Sequence, residues 1–183
     1  MMNKRNREDV LVRRPVSVEC IPDGTPWELP AGTLGQITQA LGSSFTLVVE
    51  GQLVRLKGAD ADAIGKEPPA AMAVPDKVDP KDLKELVWNT LRTCYDPEIP
   101  VNIVELGLVY KCEFEAMDDS QVRVLIDMSL TAPGCGMGEA IADEVCDKVL
   151  ALPLVGEITV NLVFDPPWDR SMMSEMAMLT LGL

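Results

Sequence analysis

The residue best placed for chemistry is Cys135, in the run TAPGCGMG at 131–138. Gly134, Gly136 and Gly138 leave the backbone around its sulfur open, and the apolar spacing that follows predicts a helix just after the loop. Unpaired N–H groups and the positive end of that helix stabilise a thiolate, the form that both a metal and an electrophile require. Thr131 stands ahead of the loop, where its hydroxyl suits a hydrogen bond to a bound sulfur; it equally suits the end of a strand. The glycines also fit a plain tight turn in which Cys135 is merely a small residue.

The chain has no histidine. Ser-His and Cys-His nucleophile pairs, the usual catalytic zinc sites and Rieske-type ligation are thereby excluded. Of the other cysteines, Cys94 and Cys112 fall on predicted apolar faces, and Cys20 lies on a predicted strand in the other half of the chain. Cys146 follows Cys135 along the same predicted helix, roughly 16 Å away at 1.5 Å per residue. A free cysteine on such a face behaves as a small hydrophobe. One chain therefore offers one good thiolate where a cluster usually takes four, and a private, permanent cofactor is not expected. A ligand shared with a second copy, a partner protein or a small thiol stays open.

A second chemical concentration is DPEIPVNIVELGLVY at 96–110, with Asp96, Glu98 and Glu105 around Pro97 and Pro100. Carboxylates there suit secondary metal ligation, chiefly by Asp96 and Glu105, or a base for the thiol; an Asx-type turn with solvated charge explains them equally. Trp168 in DPPW and Met172, Met173, Met176 and Met178 read as packing, with an adaptable Met-rich partner surface as the alternative. Gly58…Gly65-Lys66 resembles a phosphate loop only faintly, because the spacing is too long and Glu67 replaces the metal-binding hydroxyl.

The elements that must position these residues divide at a proline-rich stretch. Residues 67–78 read as a linker between a small β-rich unit (1–66) and an α/β domain (79–183). Residues 1–78 carry 9 basic and 10 acidic groups, net −1, and 79–183 carry 7 and 19, net −12. In the first half Val16, Val18 and Cys20 alternate with polar neighbours, and Phe45–Glu50 and Gln52–Lys57 flank Gly51 as a hairpin would. Gln36, Thr38 and Gln39 suit an exposed strand face. In the second half Asp79-Pro80 reads as a helix start, followed by Leu83, Leu86, Val87, Thr90, Leu91 and Cys94 at helical spacing. Leu108, Tyr110, Cys112 and Phe114 then alternate as a half-buried strand, and Val122, Val124, Ile126, Met128 and Leu130 as another. A helix follows with Ile141, Val145, Val149 and Leu152 along one side, then a strand with Ile158, Val160, Leu162 and Phe164. The order α-β-β-α-β predicts an α/β (α+β) fold: a mixed sheet with helices on it and a short Met-rich helix at the end. Cys135 then sits between a strand's carboxyl end and a helix's amino end, where sites in α/β folds tend to lie.

The formal charge of −13 argues against nucleic acid or an anionic membrane as main partner. No run approaches the ~18 apolar residues that cross a bilayer. Lys4, Arg5 and Arg7 are followed by Glu8 and Asp9 rather than an apolar segment, so no secretory leader is expected. Five cysteines without a C-x-x-C pair predict a reduced, cytoplasmic protein.

DPEIPVNIVELGLVY, TAPGCGMG, and LVFDPPW followed by MSEMA together resemble the small domain of the PaaD/SufT-type iron–sulfur assembly family. The likeness runs from about residue 80 onward. A preceding unit with ITQALGSSFTL and DADAIG, and the G-C-G-M form of the loop, are similar to the SufT branch. The resemblance implies an iron–sulfur-assembly-domain-like fold and a role in iron–sulfur protein maturation beside the Suf machinery and its apo-protein clients. It singles out the loop cysteine, here Cys135.

Three functions are then open. The first is a carrier holding a cluster or iron transiently through Cys135, with a homodimer as one way to complete the ligand set. The second is a metal-free acidic adaptor docking Suf components to clients. The third is a thiol enzyme using Cys135 with Asp96 or Glu105; without histidine its base is poor near neutral pH, so a non-enzymatic role is expected.

Overall fold

The computed structural model describes residues 7–70, 73–132 and 136–183, apart from the side chain of Asp119. Two compact units emerge: Met1–Ala71 with Pro97–Pro100, and Met72–Asp96 with Val101–Leu183.

The first unit is an antiparallel sheet of six short strands: β1 (Glu8–Leu11), β2 (Val16–Cys20), β3 (Pro26–Leu29), β4 (Leu34–Leu41), β5 (Ser44–Val49) and β6 (Gln52–Lys57). Their spatial order is β1-β4-β5-β6-β2-β3. The turn between β5 and β6 is Glu50-Gly51, both at positive φ (51° and 84°), the twist that a two-residue hairpin needs. Val16, Val18, Phe45, Leu47, Val54 and Leu56 supply the core, and a 3-10 segment at Gly58–Ile64 adds Ala61, Ala63 and Ile64 to it. Arg14 holds that segment by bonding Asp62 at 2.7 Å and Asp60 at 2.8 Å. Gln36, on β4, donates to Asp9 on β1 at 2.8 Å.

The second unit follows the expected α-β-β-α-β order. It comprises α1 (Leu83–Leu91), β7 (Val109–Ala116), β8 (Val122–Met128), α2 (Gly138–Leu150), β9 (Val155–Leu162) and the short α3 (Glu175–Leu181). The sheet order is β7-β8-β9, with β7 antiparallel and β9 parallel to β8. Val124, Ile126 and Met128 are fully buried, as are Val87 and Leu91 of α1 and Val145 and Val149 of α2. Each such side chain contributes about 1.5–3 kcal/mol by leaving water. Lys148 ties α2 to the chain after α1 by donating to the Thr93 carbonyl at 2.8 Å and pairing with Glu144 at 2.8 Å.

Two expectations shift. α1 begins at Leu83 rather than at Pro80, because Asp79 is spent on a turn: its carboxylate accepts from Lys81 N (3.1 Å) and its carbonyl from Asp82 N (2.8 Å). It also ends before Cys94, which is nevertheless fully buried. The alternation of β7 holds at Cys112 and Phe114, which face Ile126 and Val124, but breaks at Tyr110. A bulge between Val109 and Lys111 leaves Tyr110 out of the ladder. Among the described residues no helix is long and apolar enough to cross a membrane.

Residues 66–70 and 73–79 contain neither helix nor strand and are mostly exposed. A broad-specificity protease is expected to cut first within 66–78 and leave a folded fragment starting near Val78, identified by mass spectrometry. First cuts inside 131–138 would reverse that order of accessibility.

Candidate functional site

β8 delivers the chain to the cysteine loop. Past Met128, Ser129 and Leu130 stay buried, and Ser129 N donates to the Leu108 carbonyl at 2.8 Å. On the far side Met137 is fully buried and Gly138 opens α2. A Cβ at Gly138 would lie 2.4 Å from Leu130 Cδ1, so glycine is what lets the helix start close against the strand end. The first helical bond among the described residues runs from Ile141 N to the Met137 carbonyl, and the Met137 side chain provides no cap. First-turn N–H groups therefore have no partner within the helix. Ser129 Oγ is buried without a hydrogen-bond partner, a polar atom that sequence patterning alone did not mark. Thr131 is half-buried and Gly136 exposed; Gly134 and Cys135 lie outside the described residues.

The acidic segment has a different organisation from a ligand cluster. Asp96 is buried, and its N–H points to the Val101 carbonyl at 3.4 Å. Asn102 builds the turn that follows, its Oδ1 accepting from Val104 N at 3.1 Å and Glu105 N at 3.0 Å. The Glu105 carboxylate lies 3.8 Å from Arg92 Nε. Glu98 is exposed. Among the described residues no three Cys, Asp or Glu side chains converge as a metal would need, so Asp96, Glu98 and Glu105 do not form a cage by themselves.

What organises the 102–110 turn is the C-terminal segment. Trp168 Nε1 donates to the Leu106 carbonyl at 2.7 Å, and the Tyr110 hydroxyl donates to the Pro166 carbonyl at 2.9 Å. Ser174 N donates to the Glu105 carbonyl at 2.9 Å, while Ser174 Oγ caps α3 through Ala177 N at 3.1 Å. Gly107, at φ 72°, lies so close to this segment that a Cβ there would be 2.1 Å from the Met172 carbonyl. Trp168 is thus more than packing, and Met173 is buried; Met176 instead stands 65% exposed. The signals for this clasp were the glycine just ahead of a strand and a tryptophan with no apolar periodicity around it.

The described cysteines are poor thiolates where a shift is resolved. Burial pushes the Cys112 thiol up to about 11, only partly offset by Lys84. Cys146 is raised by burial and by Asp143 and Asp147. Cys94 is buried with Sγ 3.8 Å from the Thr90 carbonyl, and Cys20 packs beside the core of the first unit.

Residues 84–160 match the family model described as iron–sulfur cluster assembly protein. A stretch of 99 residues is 42% identical to an Fe–S protein maturation auxiliary factor of Porphyromonas gingivalis, covering 54% of this chain and 90% of the relative. The auxiliary factor SufT of Staphylococcus aureus is 43% identical over 88 residues, 48% of this chain and 96% of its own. The chain belongs to this SufT-type iron–sulfur cluster assembly family. Among solved structures, a domain of unknown function from Bacillus anthracis is 38% identical with a TM-score of 0.48, over 56% of this chain and 94% of that one. A conserved hypothetical protein of Thermotoga maritima is 33% identical with a TM-score of 0.40, over 60% and 100%. The stretch that matches the family model holds the 102–110 turn and the loop between β8 and α2; Trp168 and α3 lie beyond it.

Gly107→Ala meets both a left-handed backbone, about 1–2 kcal/mol, and a carbonyl in the way of its Cβ. A loss of about 2 kcal/mol or more in denaturant unfolding is expected, against about 1 kcal/mol for Trp168→Phe, which removes the indole N–H donor and one ring of a half-buried side chain. Equal, small losses would mean that the C-terminal clasp is not held at Gly107.

Iodoacetamide reacts with thiolate, so a raised pKa delays labelling to higher pH. In the folded protein Cys112 is expected to label only as pH approaches its value of about 11, and after denaturation at the ordinary value near 9. Mass-spectrometric labelling against pH checks this; folded Cys112 labelling freely at pH 8 would contradict its burial.

Proposed function

We propose that this protein is a non-enzymatic accessory factor of iron–sulfur protein maturation that carries a cluster or iron transiently through Cys135. The observation that supports it most is that two relatives named maturation auxiliary factors are matched by this chain over 90% or more of their own length. Family membership makes iron–sulfur assembly the setting, and the chemistry of the loop suggests how. The loop is anchored on both sides, by Ser129 and Leu130 at the end of β8 and by Met137 and Gly138 at the start of α2. A thiolate in it would be favoured by the positive amino end of α2.

The cluster is cargo, not a resident group. A single cysteine takes one iron site, and the rest of the ligand set comes from a second copy, a Suf component or a small thiol, with Asp96 or Glu105 as further candidates. Release follows by ligand exchange: an incoming client thiolate forms an iron–sulfur bond as the bond to Cys135 breaks, with no change of oxidation state. One protein ligand per chain keeps that exchange easy. The setting is the reducing cytoplasm, and the partners are Suf proteins and apo-clients.

One observation favours a second reading. Residues 79–183 carry net −12, which suits a metal-free adaptor that gathers basic surfaces of machinery and client.

Anaerobic reconstitution with iron and sulfide, read by absorption and Mössbauer spectra, separates the two. Wild type is expected to take up a cluster and Cys135→Ser to lose it with melting unchanged within about 2 °C, since replacing a cysteine used as a ligand rather than as packing shifts stability by under ~0.5 kcal/mol. Light scattering of the loaded protein reads whether a second copy completes the site. A cluster in both proteins would move the ligands elsewhere; a cluster in neither would leave the adaptor reading.

A further inference from the structure

β9 is one edge of the sheet in the second unit. Its register with β8 puts Ile158, Val160 and Leu162 opposite Val124, Ile126 and Met128, on the side packed by α2. Glu157, Thr159 and Asn161 stand opposite Arg123, Leu125 and Asp127, on the other side. Val163 N donates to the Met128 carbonyl at 2.9 Å. In a parallel ladder alternate residues bond the same neighbour, so Ile158, Val160 and Leu162 turn their N–H and C=O groups outward. No described strand pairs with them.

Native proteins blunt such edges with proline, lysine or a bulge. The opposite edge is blunted in this way, since β7 carries a bulge at Tyr110 and the exposed Lys111. β9 contains neither proline nor lysine, and its one irregularity lies at its start, between Val155 and Glu157. Among the described residues no strand pairs with the outer side of 157–162.

We propose that this edge accepts an extended segment of a partner protein that alternates apolar and basic residues, adding a fourth strand beside β9. Its apolar positions would extend the row of Ile158, Val160 and Leu162. Its basic positions would lie on the face that carries Glu157, Asp127 and Glu115, where Arg123 is already shared between Glu157 at 2.8 Å and Glu115 at 3.5 Å. Charge selects the occupant: a second copy would set residues 79–183, net −12, against the same residues of another chain, whereas a basic strand relieves that charge. The identity of the partner as a maturation client rests on the proposed function; the edge itself does not.

The probe is an acetylated, amidated octapeptide of alternating valine and lysine, added to the full chain and read by amide hydrogen exchange in NMR. Exchange at Ile158, Val160 and Leu162 is expected to slow at least about tenfold at saturation, with binding that weakens as salt rises. A peptide N-methylated on the bonding side should not bind. Nor should it bind Val160→Pro, which removes one outward N–H at a position where an edge strand tolerates proline. Three results would overturn the proposal: protection at other amides only, equal binding of a control octapeptide with glutamate in place of each lysine, or protection without peptide in a protein that scatters as a dimer. Cys135-dependent reconstitution that persists while the peptide fails would sink the edge alone; peptide binding without any cluster would sink only the carrier reading.

Discussion

The second unit depends on β8 being the central strand with one face fully dry. Val124, Ile126 and Met128 have no solvent exposure, and a shift by one residue would turn Arg123, Leu125 and Asp127 into the core instead. The cost of burying Arg123 and Asp127 holds the register, and the register determines where the strand ends. Because β8 stops at Met128, Ser129 and Leu130 are the residues that hand the chain to the cysteine loop. The close approach of Gly138 to Leu130 then returns it to α2.

The turn at 102–110 is stabilised by a second, polar set of interactions. Its carbonyls at Glu105 and Leu106 accept from Ser174 and Trp168, and its φ 72° glycine admits the Met172 carbonyl. Ser129 N bonds the Leu108 carbonyl, so the same turn also meets the strand end that precedes the loop. A change at Trp168 therefore has a covalent and hydrogen-bonded route to the loop through Leu106, Leu108 and Ser129. Apolar burial sets the sheet and backbone hydrogen bonds set the loop's surroundings.

That division explains what sequence reading reached. Alternation at Val122–Met128 and helical spacing at Ile141, Val145 and Val149 are side-chain patterns, and they identified both elements. The bulge at Tyr110 and the clasp of Trp168 on Leu106 use backbone carbonyls as acceptors, which every residue type supplies alike. No composition rule marks which carbonyl is taken. The early helix start failed for a related reason: Asp79 serves equally as an N-cap or as the head of an isolated turn, and Pro80 fits either. At the candidate site, Asn102 makes an Asx turn, and the orphaned Ser129 hydroxyl is visible only once its burial is known.

The described cysteines bear on the proposed carrier role through what they do not offer. A transient carrier needs its other thiols to stay out of the exchange, since each additional thiolate would hold iron more tightly. With its pKa pushed up to about 11 by burial, Cys112 stays almost wholly a thiol near neutral pH. The cause is burial on the α side of the sheet beside Ile126, so the quenching comes from the same dry face that holds the register. Cys146 is disfavoured in the same direction, its thiol raised first by burial and further by Asp143 and Asp147 on α2. The acidity of the second unit therefore has an internal consequence besides any attraction for basic partners. It suppresses thiolate on the helix behind the loop, while at the helix's amino end the peptide dipoles act in the opposite sense.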